Sequence, residues 1–165
     1  DRIVVMEGGH VRQIADPMKL YNHPANRFVA GFIGVPPMNF IPGRVSRGGG
    51  GARFLAAEGL DLALPDSWAG ALGAPPSDFK AVFGIRPEDI GSAAANAAPA
   101  APAVAGVVDV VEPMGAETYV YLKVAGESCI ARTDSSVRCR VGDAVSFRLF
   151  MEKAHLFAED GRAIV

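Results

Sequence analysis

The sequence predicts a mainly β chain, a small barrel or sandwich preceded by a hairpin and short helices, and three observations carry that prediction. From Phe40 onward, short runs of alternating apolar and polar residues recur, separated by Gly, Pro, Asp and Ser. No amphipathic helix long enough to cover a sheet lies between these runs, so the strands must cover one another by closure. Ahead of them, residues 1–34 pass from a hairpin pattern to helical spacing.

The hairpin is "DRIVVMEGGHVRQI". Ile3, Val4 and Val5 are β-branched, Gly8 and Gly9 suit a tight turn, and Val11 and Ile14 resume an apolar return strand. A lone hairpin is marginal in water, so this one reads as the edge of a larger structure whose remainder lies upstream of Asp1. Asp16 then caps a helix opening on Pro17, with Met18, Leu20 and Tyr21 on its apolar side. Pro24 ends that turn and begins another run, in which Phe28, Val29, Phe32 and Ile33 recur at helical spacing until Gly34 and Pro36-Pro37 stop it. These aromatics read as core. With the larger structure absent, the apolar faces of this segment, including Ile3, Val5, Phe28 and Phe32, are expected to lie partly uncovered.

The strand runs are "IPGRVSR", "ARFLAA", "LDLALP", "FKAVFGIRP", "GVVDVVEPMG", "ETYVYLKV", "ESCIART" and "AVSFRLF". Two interruptions separate them. "RGGGGAR" reads as a flexible turn, and "GSAAANAAPAAPAVAG" as an Ala/Pro linker at about 92–105, too poor in bulky side chains to pack a core. Pro99 and Pro102 oppose a long helix there.

Composition narrows the chemistry. Sixteen Lys and Arg against 18 Asp and Glu give a net charge of −2, with no broad basic field for nucleic acid or anionic lipid. The longest apolar stretch, Ala93 to Val111, is broken by Pro99, Pro102, Gly106 and Asp109, which argues against a membrane span. Cys129 and Cys139 lack a companion cluster, and His10, His23 and His155 are scattered, so the cysteines read as free thiols rather than metal ligands. That usage fits a reducing, cytoplasmic compartment. Ser135-Ser136 sit in a turn-like "TDSS" with no nucleophile elbow around them. Glu88 and Asp89 read as a solvated turn after Pro87, and His155 as a partly buried strand histidine rather than a base. No Gly-x-x-x-x-Gly-Lys-Ser/Thr run and no Leu-Ser-Gly-Gly-Gln occur, so neither a phosphate cradle nor an ABC signature is present in the sequence.

Three ordered motifs carry a family resemblance that spans almost the whole chain. "DRIVVMEGGHVRQIADPMKLYNHPANRFVAGFIGVPPMNFIPGRV" resembles the junction between the ATPase domain and the regulatory domain in ATPase subunits of sugar-type ABC importers, the maltose and glycerol-3-phosphate importer family. "FGIRPEDI" resembles the hallmark of the regulatory barrel, and "VVEPMGAETYVYLKV" and "KAHLFAEDGRAIV" are similar to its later strands. "FIGVPPMNFIPGRV" with "LDLALP" is most similar to the glycerol-3-phosphate branch.

The resemblance implies an OB-like barrel of the transport-associated (TOBE, MOP-like) kind over residues 35–165, with residues 1–34 as the end of the nucleotide-binding domain. It implies regulation and dimerisation here, no cofactor in this stretch, and ATP with magnesium in a full-length parent. Implied partners are a second copy through the barrel, permease subunits through the ATPase domain, and a cytoplasmic regulatory protein. The implied place is the cytoplasmic side of a bacterial inner membrane, peripherally. The implied contact residues are Gly84, Arg86, Pro87, Glu88 and Glu117, on the expectation that the "GIRPED" turn exposes its backbone and charge at the barrel's end, with a local Arg86–Glu88 ion pair as the plainer reading. An alternative is a small-oxyanion sensor of the molybdate type, in which turns such as "RTDSS" supply the ligand groups.

Overall fold

Two strands, β1 (Ile3–Glu7) and β2 (His10–Ala15), form the expected hairpin, with Gly8 and Gly9 at φ 56° and 83°. Positive φ at both turn residues matches the twist of the flanking strands. Helix α1 (Pro17–Asn22) starts where the Asp16 side chain accepts the Lys19 N–H at 2.9 Å, and α2 (Arg27–Phe32) where Asn26 accepts the Val29 N–H at 3.0 Å. Val5, Ala15, Leu20 and Val29 close into a small core of their own. The expectation of uncovered apolar faces is therefore half corrected. Ile3 and Phe32 are 42% and 65% exposed, but Val5 is 2% exposed because α1 and α2 fold back over that side of the hairpin.

The computed structural model describes residues 1–48, 51–73, 78–92 and 102–165. After the leading segment come β3 (Asn39–Gly48), β4 (Gly51–Ala56), β5 (Asp61–Ala63), α3 (Ala69–Leu72), β6 (Phe79–Ile85) and β7 (Ile90–Ser92). Then follow β8 (Ala103–Pro113), β9 (Glu117–Val124), β10 (Glu127–Asp134), β11 (Ala144–Leu149) and β12 (His155–Ala158). They form two antiparallel sheets, β12-β6-β3-β4-β5 and β10-β9-β8-β11-β7. Both sheets feed one core, Phe54, Phe83 and Leu156 from the first and Val108, Val120 and Phe147 from the second. The mainly β, OB-like expectation stands, as a nearly closed barrel.

Two joints close it. The chain runs from β6 in one sheet into β7 in the other through a 3-10 turn, Pro87–Asp89. Beside that turn, buried Asn39 of β3 acts as a ladder partner for edge strand β10, donating from Nδ2 to the Ile130 carbonyl at 2.8 Å and accepting the Ile130 N–H at 2.7 Å. A carboxamide presents one donor and one acceptor side by side, as a peptide unit does.

Two strand features depart from the reading. The linker expected to reach residue 105 ends earlier, because Ala103–Gly106 already pair with β11 as the start of β8. Its residues 93–101 lie outside the described residues, as do Gly49 and Gly50 of the glycine turn, whose flanks Gly48 and Gly51 pair across β3 and β4. The second is β7, a three-residue strand that the alternating runs do not include, and its partner is β11.

The leading segment is fastened to the barrel. Ala30 packs with Met38, Val82 and Phe157. Arg27 N–H donates to the Gly161 carbonyl at 2.7 Å and Ala163 N–H to the Ala25 carbonyl at 3.0 Å, so the turn after β12 holds the start of α2.

Candidate functional site

The barrel strand β6 delivers Arg86 to the leading helices. Arg86 has extended backbone (φ −78°, ψ 151°), as a residue before proline favours, and this aims its side chain out of the strand end. It does not reach solvent. Arg86 is 2% exposed, which corrects the expectation of an exposed turn. Its Nη1 donates to the Ile33 carbonyl and its Nη2 to the Tyr21 carbonyl, each at 2.7 Å. The guanidinium carbon lies 3.7 Å from the centroid of the Tyr21 ring, and the Tyr21 hydroxyl donates to Glu88 Oε1.

The chemistry of that arrangement follows from the helix ends. Tyr21 is in the last turn of α1 and Ile33 is the C-cap of α2, where carbonyls have no partner within the helix. One planar fork meets both. Glu88, which the plainer reading pairs with Arg86, instead accepts from Tyr21, so arginine, tyrosine and carboxylate form one chain of contacts between the two parts of the molecule.

The remaining contact candidates fall into two groups. Gly84 and Pro87 are buried. A Cβ on Gly84 would stand 2.7 Å from the Phe157 ring and 2.8 Å from Met38 Sδ, so this glycine allows close packing under the leading segment. A Cβ on Gly34 would stand 2.8 Å from Arg86 Nη1, so that glycine, with φ 121°, leaves the guanidinium its space. Glu88 and Glu117 keep partial exposure, and Glu117 lies 3.8 Å from Arg132. Arg132 is also one of the cations that act on Asp89, in the turn packed against β10, so the structure brings Glu117 and the "GIRPED" turn to one neighbourhood.

Burial sets the electrostatics of the junction. It lowers the Arg86 guanidinium to about 10, still charged at neutral pH, with Asp89 opposing the shift. It raises Asp89 to about 6, with Glu88 adding to the rise and Lys153, Arg86 and Arg132 opposing it. It lowers His155 to about 4, and the Arg86 charge adds to that effect. A cleft of about 510 Å³ runs over these groups, lined by Tyr21, Trp68, Arg86, Asp89, Lys153 and His155. His155 lies opposite Gly84 on β12 and is half-buried, as expected of a strand histidine.

Other groups singled out in the sequence are occupied within the fold. Both cysteines are free thiols, Cys129 buried and pushed up to about 12 by burial. Among the described residues no group of three or more His, Cys, Asp or Glu side chains could hold a metal ion. In "RTDSS", Arg132 faces Glu117, the Thr133 hydroxyl donates to the Thr118 carbonyl at 3.2 Å, and Asp134 accepts the Ser136 N–H at 2.8 Å. Two residues that organise the fold escaped the sequence reading. From sequence Tyr21 reads as an ordinary apolar helix side chain, and Asn39 carries no signal. A buried amide at a strand start leaves no periodic signal.

Two family profiles match, the MalK OB fold domain over residues 34–90 and the TOBE domain over residues 83–157. Residues 34–157 therefore belong to the MalK OB fold and TOBE domain families. The two matches overlap at residues 83–90, the stretch that holds Arg86 and Glu88. The sn-glycerol-3-phosphate import ATP-binding protein UgpC of Cupriavidus necator is 38% identical over 97% of this chain and 43% of its own length. The multiple sugar-binding transport ATP-binding protein MsmK of Streptococcus mutans is 36% identical over 100% of this chain and 46% of its own. The chain thus spans less than half the length of the curated relatives it matches. A solved structure of the cytoplasmic molybdate-binding protein ModG is similar with a TM-score of 0.56, over 73% of this chain and 95% of that one. At 16% identity this likeness concerns the fold alone.

Proposed function

We propose that this MalK-type chain is the regulatory and dimerisation domain of the ATP-binding subunit of an ABC importer, for sn-glycerol-3-phosphate or a related sugar. Residues 1–34 are then the last elements of its ATPase domain. The observation that carries the reading is the match to importer ATP-binding proteins along nearly the whole chain. The hairpin is consistent with it. The cross-strand pairs Val4–Ile14 and Met6–Val11 are about half exposed, an apolar stripe of the kind the rest of an ATPase domain would cover.

The junction supplies a mechanism. Arg86 belongs to the barrel and grips the ends of two helices that belong to the ATPase side. A displacement of α1 and α2 during nucleotide binding is passed to the barrel through that grip, while the barrel keeps two subunits together as their ATP sites open and close. ATP and magnesium bind outside this chain, since its sequence has no P-loop or signature. Permease subunits dock on the ATPase domain, and a cytoplasmic protein regulates through the barrel. The subunit sits peripherally on the inner face of the membrane. Among the described residues no helix is long and apolar enough to cross one. The oxyanion alternative draws no support from Arg132, Thr133 and Asp134 of "RTDSS", which already have partners within the fold.

The test is transport. The full-length subunit carrying this chain, joined in vesicles to the permease pair encoded beside its gene, should drive uptake of labelled sn-glycerol-3-phosphate. Uptake of a sugar alone would correct the substrate. Magnesium-dependent ATP turnover by residues 1–165 alone, surviving repurification, would contradict the placement of the ATPase elsewhere.

A further inference from the structure

The cleft over the junction takes its walls from both parts of the molecule. Asn22, the last residue of α1, and His23, its C-cap, stand on the side of the leading helices. Trp68 comes from the 3-10 turn after β5, Asp89 from the turn between the sheets, and Lys153 and His155 from the entry to β12. Beyond burial and the Arg86 charge, a charge on His23 also bears on His155, so the two walls face each other. At about 510 Å³ the cleft is within the range of small-molecule sites.

Trp68 is the group that lacks a partner. Its side chain packs into the barrel core and is only 6% exposed. Among the described residues its indole N–H meets no acceptor, yet it is not sealed off either, since the one polar atom that is both sealed and unpaired is Arg47 Nε. The little surface that Trp68 keeps therefore includes a bare donor at the cleft wall. A buried indole usually finds an acceptor. Asp89 offers the converse. Its backbone carbonyl accepts the Phe150 N–H at 3.0 Å, but among the described residues no hydrogen bond or ion pair closes on its carboxylate.

We propose that the junction cleft binds an uncharged polyhydroxylated ligand, a sugar or a polyol. The chemistry of the walls selects that class. Donors at Trp68 and Lys153 alternate with an acceptor at Asp89, and the Asn22 carboxamide on the opposite wall offers one of each. A hydroxyl both donates and accepts, so a compound with several of them answers all of these groups at once. Charge argues against a phosphate or another oxyanion. Arg86 and Lys153 on the walls are matched by Asp89 and Glu152, and Nη1 and Nη2 of Arg86 already donate to carbonyls. The site goes beyond the importer reading and does not rest on it. Because such a ligand touches α1 as well as the barrel, its occupancy adds to the grip of Arg86 on the leading helices.

Trp68 is the single tryptophan, so its fluorescence reads the cleft directly. The chain is titrated with glucose, maltose, glycerol and sorbitol, and with inorganic phosphate and sn-glycerol-3-phosphate as the charged arm, each to about 20 mM, with calorimetry alongside. At least one neutral probe should give a saturable change, and the sugars and the polyols tell the two sources apart. Trp68→Phe, read by calorimetry, and Asn22→Ala should each weaken that probe about tenfold. Thermal melts report whether each variant folds, and Asn22, exposed and outside the core, keeps the test open if Trp68→Phe does not. No saturable signal from any neutral probe, or tighter binding of either phosphate compound, would overturn the site. Binding unchanged in the folded variants would overturn its place in this cleft.

Discussion

At the scale of the residue, Arg86 decides how the two parts of the molecule meet. Arg86→Met keeps much of the apolar stem but leaves the Tyr21 and Ile33 carbonyls without their donor, so it should cost about 2–3 kcal/mol and lower the melting temperature by roughly 5–10 °C. Arg86→Lys should recover only part of this, since an ammonium cannot fork to two carbonyls and stack on Tyr21 at once. Calorimetric melts of the three proteins check it. The neighbouring titrations oppose each other. Asp89 is raised from 3.8 to about 6, so its contribution to stability is present at low pH and is lost as pH rises through about 6. His155 is lowered from 6.5 to about 4, so its contribution is complete above 6.5 and is lost as pH falls through about 4. Relative to wild type, Asp89→Asn should therefore become more stable, and His155→Gln less so, as pH is raised from about 4 to about 7. Urea unfolding at both pH values reads the two slopes, and differences that do not change with pH would contradict the assignment. The sequence marked Arg86 but placed it outside. A charge beside proline looks like a surface turn, and the carbonyls that bury it are 53 and 65 residues away, beyond any local pattern.

At the scale of the element, closure depends on single contacts because the sheets have short and exposed edges. Asn39→Ala removes both hydrogen bonds to Ile130 and leaves a peptide group with no ladder partner, which should cost about 2–4 kcal/mol. The Ile130 amide should then exchange much faster than the Ala131 amide. Equal protection of Ile130 in the variant would show that β10 holds its place without the clamp. The long strands were legible for a simple reason. In β9 every second residue, Thr118, Val120, Leu122 and Val124, turns inward, and a half-buried strand writes that alternation into its sequence. β8 was legible only from Gly106. Ala103 and Ala105 have no strand preference of their own, and pairing with β11 makes them strand. β7, three residues long, is likewise defined by its partner rather than its composition.

At the scale of the whole molecule, the central claim is mechanical: the leading helices and the barrel open as one unit because barrel residues hold the helix ends. The sequence suggested two parts, 1–34 and 35–165, with the first expected to lie partly uncovered. In the structure the first part has its own core of Val5, Ala15, Leu20 and Val29, and it is tied to the second at Arg86, at the Ala30–Phe157 packing and at residues 161–163. None of these ties joins neighbours in sequence, so none could be read from periodicity. Hydrogen exchange by mass spectrometry of the wild type and Arg86→Met tests the claim most directly. In the wild type, the hydrogen-bonded amides of Leu20, Ala30 and Ile33 should exchange with the same free energy as those of β6, and in Arg86→Met the helix amides alone should speed up. Helix amides that exchange freely in the wild type, or at an unchanged rate in the variant, would contradict it.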